Sequence, residues 1–371
     1  MKTIYLALGL LLSASGFTAE VRNRVQPVQW DSGSVQNIAE SDRVVMKKKF
    51  HVKKATGLRV HFKKRVLGKG VFLKVTSNKN RRPLKMDDRI LKAFRYSTPY
   101  LNGNSVTIEL VVPSGESSNG FAIRGIEIPV MVEPRTETIC GSTDERAPSK
   151  SKPIARMMKV ENGAGGCTGT MIGLTCMVSA GHCKSYLNFA QFNVPPSDDQ
   201  GKVRYPEPSD QYPVSKVYGY QNDGPGNDWA VYRLRPNPVS EKLPGEVQGF
   251  LKARKEVPQV GAAIRITGYG SDDDEPNRNF AQQTLTGPIV GIGGSEMRHA
   301  VDTMPGNSGS SIVLEETQEV IGIHTHGGCD TASGSANSGT VLAKHAKFMQ
   351  AVAQCLADDK ALIEKLEQRN Q

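Results

Sequence analysis

Three short segments carry side chains whose types could act together on a carbonyl. Ser308 sits in Met304-Pro305-Gly306-Asn307-Ser308-Gly309-Ser310, where glycines let a side chain stand exposed and a substrate approach the backbone. His182 follows Val178-Ser179-Ala180-Gly181 and precedes Cys183. Asp228 opens Asp228-Trp229-Ala230-Val231. A serine hydroxyl is a weak nucleophile at neutral pH unless a base takes its proton as it attacks. An imidazole can be that base if a carboxylate holds its other nitrogen and stabilises the imidazolium that forms. His182, Asp228 and Ser308 therefore read as base, orienting acid and nucleophile. The backbone N–H groups of Gly306 and Ser308 can converge on one point and bind the oxyanion of a tetrahedral intermediate. Each segment alone is a common turn or strand; the three together describe nucleophilic acyl chemistry.

The order His, Asp, Ser, with spacings of 46 and 80 residues, differs from the orders found in subtilisin-like chains and α/β-hydrolases. In order and local sequence the segments resemble the secreted chymotrypsin-fold (trypsin-like) serine endopeptidases. The resemblance runs from about Arg156 to Phe348 and includes Gly306-Asn307-Ser308-Gly309-Ser310 followed by Val320-Ile321-Gly322-Ile323-His324. It implies two packed antiparallel β-barrels, a C-terminal helix, an acyl-enzyme mechanism on protein or peptide substrates, and a disulfide between Cys167 and Cys183. Cys140, Cys176, Cys329 and Cys355 are left with three possible connectivities, and Cys176 could instead be a buried free thiol on the apolar run Met171–Val178.

Within that group the chain is most similar to the glutamyl endopeptidases, through Thr303, Gly322-Ile323-His324 and the Gly-Asn-Ser-Gly-Ser turn. The resemblance places Asp302, Thr303, His324, Thr325, His326 and Gly327 around the specificity pocket. A hydroxyl and an imidazole that both donate to a carboxylate would favour cleavage after Glu, or Asp, because a donor-lined site rejects apolar side chains. The rival is Asp302, which matches by count the pocket aspartate that selects Lys or Arg by ion pairing. His326 stands where many relatives carry Trp. Asn307 departs from the family as well: the aspartate that pairs with a new N-terminal ammonium on activation is replaced by an amide. Any latency then falls to the N-terminal region as propeptide or inhibitor, cut between 133 and 156.

These residues need a scaffold, and the remaining sequence describes an all-β one. Met1–Gly16 reads as a signal peptide, with Lys2, the apolar run Ile4–Leu12 and small residues after it. Export, to the extracellular medium or a periplasm, agrees with six cysteines. No later apolar run is long enough to span a bilayer. Residues 20–135 hold 23 Lys and Arg against 10 Asp and Glu, whereas residues 136–371 hold 23 against 27. That step marks a boundary: a small basic β-sandwich over 20–133, a polar linker over 134–155, and a protease domain over 156–371.

Period-two apolar positions at Leu58, Val60 and Phe62, at Val71, Leu73 and Val75, and at Val106 to Val112 predict strands with one face buried and one face wet. A phase shift near Gly125 predicts a bulge. Ala343–Gln368 reads as the closing helix. Lys47-Lys48-Lys49, Lys53-Lys54 and Lys63-Lys64-Arg65 could meet an anionic surface, but no nucleic-acid motif accompanies them. Asp272-Asp273-Asp274-Glu275 lacks the spaced ligands of a calcium loop and is expected to be solvated. No cofactor or metal is expected. The competing reading is a non-catalytic scaffold that binds through the same barrel.

Overall fold

The computed structural model describes residues 22–80, 82–118, 120–130, 138–159, 165–272, 274–329 and 335–370. The signal-peptide segment and residues 134–137 of the expected linker lie outside them.

The N-terminal region is a β-sandwich of two four-stranded sheets. One runs in the order Arg22–Asp31, Ala122–Val130, Gly57–Phe62, Leu101–Asn102, and the other in the order Arg43–His51, Ser105–Val112, Phe72–Ser77, Leu84–Met86. The apolar alternation does its work between them: Leu58, Val60, Leu73, Val75, Ile108 and Leu110 share one core. The register shift on Ala122–Val130 falls between Ile123 and Gly125, at the expected bulge.

The second face of Gly57–Phe62 is not wet. All six residues are buried, Arg59 and His61 included. The first barrel covers that side, so both faces of the strand are interior. Phe94 stacks on Phe189 at 6.0 Å and Tyr100 on Tyr205 at 4.8 Å. Arg59 lies over the Phe189 ring at 4.6 Å. Met158, Phe189, Val203, Tyr205 and Phe280 of the barrels belong to the same apolar cluster as the sandwich core. The lysine-rich strand Arg43–His51 is in the other sheet and stays largely exposed.

The rest of the chain forms two six-stranded antiparallel barrels. The first closes through Ile154–Met158, Gly165–Met171, Cys176–Ser179, Asp228–Leu234, Gln211–Asn222 and Phe189–Gln191. The second closes through Gln283–Gly293, Ala263–Gly268, Ser311–Leu314, Glu319–His326, Asn337–Val341 and Glu296–His299. The closing helix runs from Ala346 to Asn370, after a short 3₁₀ turn at Leu342–Lys344. It packs on the first barrel through Phe348, Ala351 and Val352. Its Asp359 accepts the Thr175 N–H at 3.0 Å.

All six cysteines pair: Cys140–Cys329, Cys167–Cys183 and Cys176–Cys355. Cys176 is not a free thiol, because the helix brings Cys355 against its strand. Residues 138–153 of the expected linker form a strap on the second barrel instead, and its last two residues, Ile154 and Ala155, already belong to the first barrel. The strap is held by the Cys140 disulfide and by pairing of Ala147 and Pro148 with Thr284 and Gln283. Local polarity and prolines suggested a loose connection there; contacts with residues more than a hundred positions away hold it.

Candidate active site

The site lies where the barrels meet. His182 opens a 3₁₀ turn after the strand Cys176–Ser179, Asp228 begins the neighbouring strand of the same barrel, and Ser308 comes from the loop before Ser311–Leu314 of the other barrel. His182 Nδ1 is 2.5 Å from Asp228 Oδ2. The carboxylate is fully buried, and its second oxygen accepts the N–H groups of Gly181 at 2.5 Å and His182 at 3.0 Å. Behind it, Trp229 stacks on Phe348 and donates to His345 Nε2 at 3.1 Å, tying the Asp228 strand to the C-terminal helix.

The serine turn is pinned from both sides. The Ser308 carbonyl accepts the Thr168 N–H at 2.8 Å, and Gly309 N–H donates to the His324 carbonyl at 2.9 Å. Cys183 Sγ lies 3.6 Å from the Ser308 carbonyl oxygen, so the turn sits against the residue that follows His182. Gly306 adopts φ +110°, and a Cβ there would collide with the Tyr269 carbonyl oxygen; both facts require glycine. Among the described residues the N–H groups of Gly306 and Ser308 donate to no protein acceptor. Two such donors flanking a serine suit an incoming oxyanion.

The expected pocket residues divide. His324 is buried on the strand Glu319–His326 and lies 3.2 Å, through Nδ1, from Nε2 of His299. His299 was not singled out in the sequence, because nothing local marks it; only pairing within the second barrel sets it against His324. Desolvation lowers His299 to about 3. Desolvation, followed by the charges of His299, His326 and His182, also holds His324 well below the ordinary histidine range. Both rings are therefore neutral near pH 7. Val301 N–H donates to His299 Nδ1 at 3.3 Å, which places the proton of His299 on Nε2, facing His324 Nδ1. This assignment follows from the hydrogen-bond network. It leaves the Nε2–H of His324 free to donate to a ligand.

Thr303 is fully buried, and its hydroxyl meets Thr138 Oγ1 at 3.1 Å and the Asn337 amide at 3.1 Å. It is a shared member of the pocket wall rather than a free donor. Asn337, also missed, is the hub of that wall: it donates to the carbonyls of Thr138 and Val301 and accepts the N–H groups of Gly328 and Cys329. Gly327 lies where a Cβ would strike Thr138.

Asp302 is buried. Its two oxygens accept the N–H groups of Cys140 at 2.7 Å and Glu145 at 3.1 Å, fastening the strap. Thr325 is buried, with its hydroxyl 2.8 Å from His326 Nδ1. The His326 ring is 5.8 Å from that of His182, and its Nδ1 is 4.0 Å from Asp228 Oδ2. It forms the edge of the cleft beside His182. One group with metal-ligand spacing, Cys167, His182 and Cys183, occurs among the described residues. Its thiols are joined in a disulfide and offer no thiolate.

The chain is similar to a glutamyl endopeptidase of Staphylococcus epidermidis, 33% identical over 127 residues that make up 34% of this chain and 43% of that protein. A glutamyl endopeptidase of Bacillus licheniformis is 23% identical over 220 residues, 56% of this chain and 66% of that protein. The chain thus spans less than half of the first relative and about two thirds of the second. Among solved structures, one of a Glu endopeptidase in complex with MPD matches 59% of this chain and 100% of its own, at 19% identity and a TM-score of 0.45. The family model described as Trypsin matches residues 142–352, more than half of the sequence, and the protein belongs to the trypsin family.

Proposed function

We propose that the chain is an exported serine endopeptidase that cleaves after Glu, or Asp. Ser308 Oγ attacks the scissile carbonyl while His182 Nε2 takes its proton. Asp228 holds Nδ1 and stabilises the imidazolium. The N–H groups of Gly306 and Ser308 receive the oxyanion, the leaving amine takes the proton back from His182, and water then hydrolyses the acyl-enzyme by the same route. Export agrees with the three disulfides. No helix among the described residues is long and apolar enough to cross a membrane.

The observation that carries the specificity is the His299–His324 pair. A neutral imidazole whose Nδ1 is occupied by a neighbour can only offer Nε2–H, which is a donor for a carboxylate. The reading with Lys or Arg loses its support because both oxygens of Asp302 are held by backbone N–H groups. The exposed lysines of Arg43–His51 support an anionic surface as an accessory partner.

The deciding measurement is cleavage of a peptide library by the purified protein, with Ser308→Ala as control. Cutting after Glu that vanishes in the variant is expected. Cutting after Lys or Arg would return the pocket to Asp302. Absence of cutting together with absence of fluorophosphonate labelling would favour the scaffold reading.

A further inference from the structure

The strap over 138–153 carries a charged side chain that the mechanism above does not use. Arg146 is buried, with 2% of its side chain exposed. Nε and Nη2 bond the Asp144 carboxylate at 2.9 and 2.6 Å, and Nη2 also donates to the Ser271 carbonyl at 2.8 Å. Asp272 Oδ2 stands 3.9 Å away. The acidic loop expected to be solvated thus contributes one buried carboxylate to the surroundings of this guanidinium.

The remaining arm points at the serine turn. Arg146 Nη1 donates to Asn307 Oδ1 at 3.3 Å, and the same oxygen accepts the Met304 N–H at 3.1 Å. Asn307 is itself buried, and its backbone closes the turn from both ends: its N–H bonds the Met304 carbonyl, and its carbonyl accepts the Ser310 N–H. Ser271 N–H adds a bond to the Pro305 carbonyl. Gly270 makes room for the contact, since a Cβ there would collide with both Asn307 Oδ1 and Arg146 Nη1. Asn307 lies between the two residues whose N–H groups face the oxyanion. Whatever fixes its side chain fixes the peptide planes on either side.

We propose that Arg146 is the positioning residue of the oxyanion site, an internal cation that braces Asn307 and holds the Gly306 and Ser308 N–H groups convergent in the uncleaved chain. The cation comes from a side chain on a strap that is locked to the barrel by a disulfide and by Asp302. It is in place as soon as the protein folds, and no newly cut N-terminus is needed to supply it. An oxyanion donor acts in the transition state and contributes about 10²–10³ in kcat. Losing the brace should therefore lower kcat and leave KM nearly unchanged. This inference rests on the peptidase reading for its kinetics, but not for its structural consequence.

The test uses the full chain, with Arg146→Met beside wild type. Expected are wild-type cleavage of Glu peptides at the intact mass, a fall in kcat of about 10²-fold in the variant with little change in KM, partial recovery on adding methylguanidine, and faster amide exchange across Met304–Ser310. A variant with unchanged kcat and unchanged exchange, or a wild-type chain that becomes active only after a cut before Ala147, would overturn the proposal. If Arg146→Met does not fold, Asn307→Ala removes the acceptor instead and should show the same kcat-selective loss. A wild type that cuts no peptide would sink the peptidase reading, while the exchange comparison would still decide the brace.

Discussion

Among the described residues, two hydrogen-bonded histidine–carboxylate pairs have opposite surroundings. In the barrel cleft, Asp228 holds His182 through Nδ1, and the imidazole keeps 22% of its side chain exposed with Nε2 unspent. In the sandwich, Glu127 holds His61 through Nε2 at 2.7 Å, and both side chains are sealed, at 0% and 1% exposure. Asn23 and Tyr100 also bond Glu127, and Arg59 lies over the Tyr100 ring. On the proposed reading, the same two side-chain types give a base in one place and a fastener in the other. What differs is which ring nitrogen the carboxylate takes and whether solvent reaches the other. A reactive pair must leave one nitrogen facing a substrate, whereas a structural pair satisfies its hydrogen bonds internally because unpaired buried charges are costly.

Substitution at the two carboxylates should separate these roles. Asp228→Asn is expected to lower kcat by about 10⁴-fold with the melting temperature nearly unchanged, because the amide favours the wrong imidazole tautomer. A loss of folded protein rather than of turnover would move this pair into the structural class. Glu127→Ala should do the reverse. Removing one partner of a buried pair costs about 3–5 kcal/mol, to be read from urea unfolding, while kcat of the folded fraction stays close to wild type.

The same contrast predicts an acid effect. Burial opposes ionisation of Glu127, but the His61 hydrogen bond, the Arg59 and His61 charges and the Asn23 amide outweigh it and hold its carboxyl below its ordinary 4.5. A depressed carboxylate contributes stability that is complete above the unfolded value and lost as pH falls through the folded one. Wild type should lose urea resistance as pH drops below about 4.5, and Glu127→Ala should lose less over that range. Equal losses in both proteins would place the acid-sensitive group elsewhere.

The smallest effect is expected at His299, whose Nε2 faces His324 Nδ1 at 3.2 Å while its Nδ1 accepts the Val301 N–H. His299→Phe should raise KM for Glu substrates about tenfold, the scale of one lost hydrogen bond, and change kcat little. An unchanged KM with an unchanged preference for Glu would mean that the carboxylate is recognised without the pair.

Much of this could be read in the chain before any fold was known. His182, Asp228 and Ser308 announce themselves because each sits in a contiguous motif with its own backbone demands, including the glycine at 306. The sandwich strands were legible from their period of two, and the bulge near Gly125 from its phase. The role of Asp302 was not legible, because its position by count says nothing about which backbone N–H groups turn towards it. Arg59 and His61 misled for a related reason: polar residues on alternate positions normally mark a wet face, unless another domain covers it.

By itself, then, the sequence determined the candidate catalytic residues, their order, the all-β class and the number of cysteines, since each of these is written in neighbouring positions. Only the tertiary structure decided which cysteines pair, that the basic sandwich shares a core with the first barrel, that His299 faces His324, and that Arg146 reaches Asn307 across 161 positions. Contacts at such separations depend on where whole strands and straps come to rest, and no local pattern of side chains encodes that placement.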